Sequence, residues 1–250
     1  MMDKIEENRI ESFKRGLSWI ELKEAFKNKG CPICFIMLEN LRKYFDHLLY
    51  EDALSVPVHK KIIAGMGMCN THTWVLAEST DKLGIGSLFE TTLSKENKLL
   101  KRINEFEDKE MLSDSRNKKK LNKDKKVIEG QLTAKGKCLA CEHQEESELF
   151  SLHQLIIIWN DKEFREYYED ESVLLCRRHF QLLLQECDEK EIIDYFITIQ
   201  KNKLNNLSYQ YSEFMRKHDY RFQHEMTDKD KASLNRVLEY FGSKKNINHK

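Results

Sequence analysis

Cys31-Pro-Ile-Cys34 followed by Cys69-Asn-Thr-His72, and then Cys138-Leu-Ala-Cys141 followed by Cys176-Arg-Arg-His179, are the stretches on which the reading of this chain turns. Both sets read C-x2-C-x34-C-x2-H, and every residue of the second set lies 107 positions after its counterpart in the first. Glu39 and Glu146, and Leu48 and Leu155, match at the same offset, while most other positions differ. A repeat that keeps four ligand-type residues in register while the rest diverges points to metal binding. The expected ligands are Cys31, Cys34, Cys69, His72, Cys138, Cys141, Cys176 and His179. Buried cysteines acting as small hydrophobes would have no reason to recur with a histidine at one fixed interval. Cys31-Pro-Ile-Cys34 also has the C-P-x-C form of thiol–disulfide catalysts, but no apolar, β-branched strand precedes it and the second copy lacks the proline. His143 lies one residue too far from Cys141 for a haem-attachment C-x-x-C-H.

The sequence around these motifs is helical. Ser18-Trp-Ile-Glu21 has the form of a capping box, opening a helix to about Asn28 with Gly30 as its stop. Cys31 then stands as an N-cap with Pro32 at the first helical position, where a missing N–H costs nothing. Leu38, Leu41, Phe45 and Leu48 give that helix an apolar face, echoed by Leu149, Leu152, Ile156 and Trp159 in the second copy. Leu139 stands where a proline would repeat the first motif, so the N-cap assignment of Cys138 has less behind it. The Cys-x-x-His segments open helices too, the second continuing through Leu184. Each ligand pair thus sits on a first turn, where free N–H groups and the positive dipole end favour thiolates. Further helices are expected over Ser87 to Phe106, with Leu88, Leu93, Leu99, Leu100 and Ile103 as apolar members, over Lys190 to Lys217, and from Thr227 or Asp228 to Phe241, stopped by Gly242. The tail from Ser243 is expected to be loose.

Composition narrows the class. With 2 prolines and 9 glycines in 250 residues, breakers are too few for many short strands. Acidic and basic side chains balance at 42 each, whereas a dedicated nucleic-acid binder carries a basic excess. The lysine-rich run from Asp114 to Lys126 reads as a solvated linker rather than a phosphate-binding strip. The N-terminus lacks the apolar stretch of a secretory signal, and apolar runs reach only about five residues where a membrane span needs about 20. A cytoplasmic location follows, where clustered thiols serve metal or redox chemistry rather than disulfides. Seven cysteines, an odd number, fit disulfide pairing poorly. The expected architecture is all-α, with internally duplicated helical modules each carrying a Cys3His site at helix N-termini: 1–112, a linker at 113–130, and 131–250. The spacing leaves open whether each site is built within one repeat or whether the repeats exchange their Cys-x-x-His pairs.

The C-P-x-C opening, the two C-x2-H elements, Phe214-Met-Arg-Lys-His-Asp-Tyr-Arg-Phe222 and Leu234-Asn-Arg-Val-Leu-Glu-Tyr-Phe-Gly242 together resemble DUF6062, a bacterial family of unknown function, over nearly the whole chain. The resemblance implies a bacterial cytoplasmic protein and supplies no activity. His218, Asp219 and Arg221 do not face one another on a helix as a catalytic group would, and read as a structural ion pair or helix-ending turn. Cys187, outside the repeat, reads as a plain helix residue. No hydrolase, kinase or dinucleotide motif is present, and Gly84-Ile-Gly86 is too short for a phosphate loop. The functional expectation is a non-enzymatic protein holding two zinc ions that lock helices into a platform for a protein partner, with no membrane or nucleic-acid role. The alternatives are an iron–sulfur or redox protein using the same ligands and, more weakly, nucleic-acid binding through the lysine-rich run.

Overall fold

A computed structural model describes residues 10–14, 16–107, 125–127 and 129–247. The lysine-rich linker lies largely outside the described residues, as does the end of the tail. The described chain is all-α, as expected; its one extended pairing is an isolated parallel bridge between Gly30 and Val173. The helices used below are α1 (Leu17–Lys27), α2 (Pro32–Tyr50), α3 (Val56–Ala64), α4 (Asn70–Ala77), α5 (Lys82–Glu107), α6 (Leu139–Ile157), α7 (Lys162–Tyr168), α8 (Arg177–Glu186), α9 (Lys190–Arg216) and α10 (Asp228–Gly242). Helices α2 and α6 each span 19 residues and start at the same offset as the cysteine motifs. Helices α4 and α8 also start in that register, each directly after an extended cysteine, Cys69 or Cys176.

Two compact units form, and they do not follow the expected division into 1–112 and 131–250. Among the described residues, one joins those up to Asn40 with those of 145–247; the other is Leu41–Gln144. The boundaries fall inside α2 and α6, so each of these helices contributes to both units.

The first unit is built on aromatics. Phe26 of α1 meets Phe164 of α7 edge-on with centroids 5.8 Å apart, Phe164 stacks on Tyr168 at 5.3 Å, and Tyr168 meets Phe196 of α9 at 5.2 Å. All four rings are buried, and such rings bury large apolar areas. Two buried polar side chains of α9 then fasten the segment leading to Cys176. Gln200 donates to the Leu175 carbonyl at 2.8 Å, and Lys203 donates to the carbonyls of Tyr168 and Val173, the latter at 2.6 Å. Burial pushes the Lys203 amine down to about 7, so this attachment is held against a desolvation cost. Helix α10 opens on Thr227, which caps it in a reciprocal box with Asp230, and Asp230 also pairs with Lys217 at 2.8 Å.

The second unit packs Leu41, Phe45, Leu48 and Leu49 of α2 with Ile62, Leu76 and Leu88 around Cys138 to Cys141.

Several local expectations change. The cap of α1 is Gly16, not Ser18; the helix starts at Leu17, which leaves Ser18 inside the first turn. Leu149 is exposed, because the inward face of α6 carries Gln144, Ser147, Glu148 and Ser151 before it turns apolar at Leu152 and Leu155. Leu93 and Leu100 are exposed because the buried side of α5 runs through Leu88 and Thr92 instead. His218, Asp219 and Arg221 are exposed or half-buried; Arg221 pairs with Asp219 and His218 bonds the Phe214 carbonyl, as a helix-ending turn would. Cys187 is buried and follows the last residue of α8 rather than lying in it.

Gly30 has φ +78°, and a Cβ there would lie 2.9 Å from a Glu239 carboxylate oxygen. We expect Gly30→Ala to destabilise by roughly 1–3 kcal/mol. Gly86, inside α5 with nothing within 4 Å of where a Cβ would stand, is the contrast. Gly86→Ala should stabilise by about 0.5–1 kcal/mol. Thermal melts of the two variants should move in opposite directions.

Candidate metal centres

The chain brings ligand pairs together by short backbone contacts just ahead of each pair. In the first unit the Gly30 N–H donates to the Ser172 carbonyl at 2.7 Å, and the Leu174 N–H donates to the Gly30 carbonyl at 3.0 Å. Gly30 is the residue before Cys31, and Leu174 stands two before Cys176. In the second unit the Lys135 and Gly136 N–H groups donate to the Ala64 carbonyl at 2.8 and 2.9 Å. Those residues lead into Cys138 and, through Gly65 to Met68, into Cys69.

The outcome is two groups that could hold a metal ion: Cys31, Cys34, Cys176 and His179, and Cys69, His72, Cys138 and Cys141. All eight residues singled out from the sequence are used, but each group takes its Cys-x-x-Cys from one set and its Cys-x-x-His from the other. A site built within each module is therefore not what forms. From Cys34 the remainder of α2 rises about 24 Å to its end at Tyr50, with α3 still to come before Cys69.

Within each group the four donor atoms lie within 4.8 Å of one another. In the first, the Cys34 and Cys176 sulfurs are 3.8 Å apart, and His179 Nδ1 is 3.2, 3.4 and 3.1 Å from the sulfurs of Cys31, Cys34 and Cys176. In the second, the Cys69 and Cys141 sulfurs are 3.7 Å apart, and His72 Nδ1 is 3.3, 3.6 and 3.4 Å from those of Cys69, Cys138 and Cys141. A tetrahedral zinc ion, with bonds of about 2.3 Å to sulfur and about 2.0 Å to nitrogen, sets its donors roughly 3.8 Å apart for S···S and roughly 3.5 Å for S···N. The donor sets fit that tetrahedron with a small contraction.

Each histidine presents Nδ1 to the sulfurs and keeps Nε2 for a partner on α6. His179 Nε2 lies 3.0 Å from a Glu148 carboxylate oxygen, and Arg178 clamps the same carboxylate through two bonds of 2.8 and 2.9 Å. His72 Nε2 lies 2.8 Å from the Gln144 side-chain oxygen. Such partners fix the tautomer and orientation of a ligating imidazole. Their positions, four apart on α6, explain its polar inward stripe; in the sequence alone they read as the solvent face of an amphipathic helix, and nothing there singles them out. Ser243, which follows α10 with φ 60°, places its hydroxyl 3.2 Å from the Cys176 sulfur.

The electrostatics are those of a crowded thiol cluster. Burial pushes the Cys31 thiol well up, reinforced by the neighbouring sulfurs. Bonds from the Cys31 and Cys34 thiols, with His179 alongside, hold Cys176 far below the ordinary thiol range. Cys141 is pushed up to about 12 by burial and by Cys138 and Cys69. Burial works to raise Glu148, yet His179 and Arg178 hold it down to about 2, so it stays a carboxylate. A dication would release the thiol protons and let three thiolates coexist.

The sequence pattern of a family of unknown function, DUF6062, matches residues 13–248. The chain belongs to that family. No curated protein and no solved structure matches it.

If Glu148 supports His179 as a ligand, Glu148→Ala should weaken metal binding at the first centre by roughly 10–100-fold while sparing the second. Competition titrations against a chelator of known affinity would show one weakened site and one unchanged.

Proposed function

We propose that the protein is a non-enzymatic helical scaffold clamped by two zinc ions, each joining a Cys-x-x-Cys helix start from one copy of a duplicated unit to a Cys-x-x-His helix start from the other. The observation that carries this reading is the donor geometry: two four-ligand sets, each at tetrahedral spacing. Four protein ligands suit structural zinc, whereas catalytic zinc keeps a position open. The matching start points and lengths of α2 and α6 support descent from one duplicated unit. An iron–sulfur cluster is the second reading, since thiolates suit iron too. It is less well supported, because the ligands of a cluster sit on different irons and spread apart, while here all four donors of a set lie within 4.8 Å.

For a protein partner, the support is that the apolar side chains of Tyr50, Leu54 and Leu83 in the second unit stand exposed. Among the described residues no helix is long and apolar enough to cross a membrane. A reducing compartment such as the cytoplasm would keep the thiol ligands available.

Structural zinc supplies on the order of 10 kcal/mol of apparent binding free energy, comparable with the stability of a whole domain. Elemental analysis of protein never exposed to chelator should find two zinc per chain, and the sample should be colourless. Cys34→Ser and Cys141→Ser should each lose one equivalent and melt lower, while Cys187→Ser keeps both. A strong chelator should lower the melting temperature while much helix remains. Fewer than one equivalent of any transition metal would contradict the reading, and a brown anaerobic sample would favour the iron–sulfur alternative.

A further inference from the structure

The two centres share a ligand set but not a setting. At the first, Cys31, Cys34, Cys176 and His179 are all buried, none more than 4% exposed. Glu148 backs its histidine with a full negative charge, itself fixed by Arg178, and Ser243 offers a hydroxyl to the Cys176 sulfur. Ser243 is buried, and the following Lys244 lies over the Phe35 ring, so the residues just after α10 lie against this centre. At the second, Cys138 and Cys141 are buried, yet Cys69 is partly exposed. The partner of its histidine is the neutral amide of Gln144.

These differences act on the same step. For an ion to leave a closed four-ligand site, a competing donor must reach it and one protein ligand must detach. A carboxylate behind the imidazole makes it a more basic ligand, whereas an amide orients it without adding charge. A buried thiolate is shielded from an incoming donor, whereas a partly exposed one presents both a path and a leaving ligand.

We propose that the second centre is an exchange site, giving up its ion through Cys69 to acceptors bearing thiol or imidazole donors, while the first centre keeps its ion. This rests on the two-zinc reading above. The second unit then carries a releasable clamp, and its packing around Cys138 to Cys141 answers to the supply of metal.

The test uses the full chain, shown beforehand to contain two zinc equivalents, mixed with excess chromogenic pyridylazo chelator. Release should be biphasic, with one equivalent leaving at least about ten times faster than the other. Cys34→Ser should retain only the fast equivalent and Cys141→Ser only the slow one. In case the cysteine variants fail to fold, Gln144→Glu should slow the fast phase without changing the slow phase. Equal rates for the two equivalents, or a fast phase missing from Cys34→Ser rather than from Cys141→Ser, would overturn the proposal. An unchanged fast phase in Gln144→Glu would do the same. Protein that starts with fewer than two equivalents fails the two-zinc reading itself, and this inference falls with it.

Discussion

The backbone junctions ahead of the cysteine pairs are the constraint on which the rest depends. Gly30 against Ser172 and Leu174, and Ala64 against Lys135 and Gly136, join segments more than 65 residues apart in the chain. Once they are joined, two helix starts meet at each junction, and their first turns carry the donors. The positive φ of Gly30 belongs to this arrangement, as do the buried hydrogen bonds by which Gln200 and Lys203 hold the segment before Cys176. Much of the buried polarity in the first unit goes into placing these few residues.

The same constraint accounts for the shape of the domain division. A chain of two independent modules would bury its ligands locally, and its boundary would fall in the linker. Here each candidate group draws its residues from both halves of the chain, and the boundaries fall inside α2 and α6. Those helices carry donors at their starts, and α6 also carries the partners of both histidines. Loss of α6 would therefore remove support from both centres at once.

How much of this is legible in the sequence differs by level. The residues that gather into the two candidate groups are, because three cysteines and a histidine held at one interval in both copies, amid otherwise diverged sequence, stand out where simple burial would not keep them. The helices are as well, since Pro32 and Thr227 mark their starts by simple backbone chemistry. The pairing of the sets is not, because identical spacing in the two copies is compatible with either arrangement; only the folded chain, which groups Cys31 and Cys34 with Cys176 and His179, decides it. Nor are Gln144 and Glu148, whose polarity resembles that of a solvated face until the histidines turn out to lie against them. Leu149 and Leu93 mislead in the opposite sense: their periodicity is helical, but the buried side of each helix lies elsewhere.

The central claim, that each centre draws its ligands from both copies of the motif, is tested most directly by metal content in paired variants, read by native mass spectrometry. Cys34→Ser combined with Cys176→Ser damages one centre twice and should leave one zinc per chain, whereas Cys34→Ser combined with Cys69→Ser damages both centres and should leave none. If the first pair leaves none and the second leaves one, each set binds its own ion and the account is wrong.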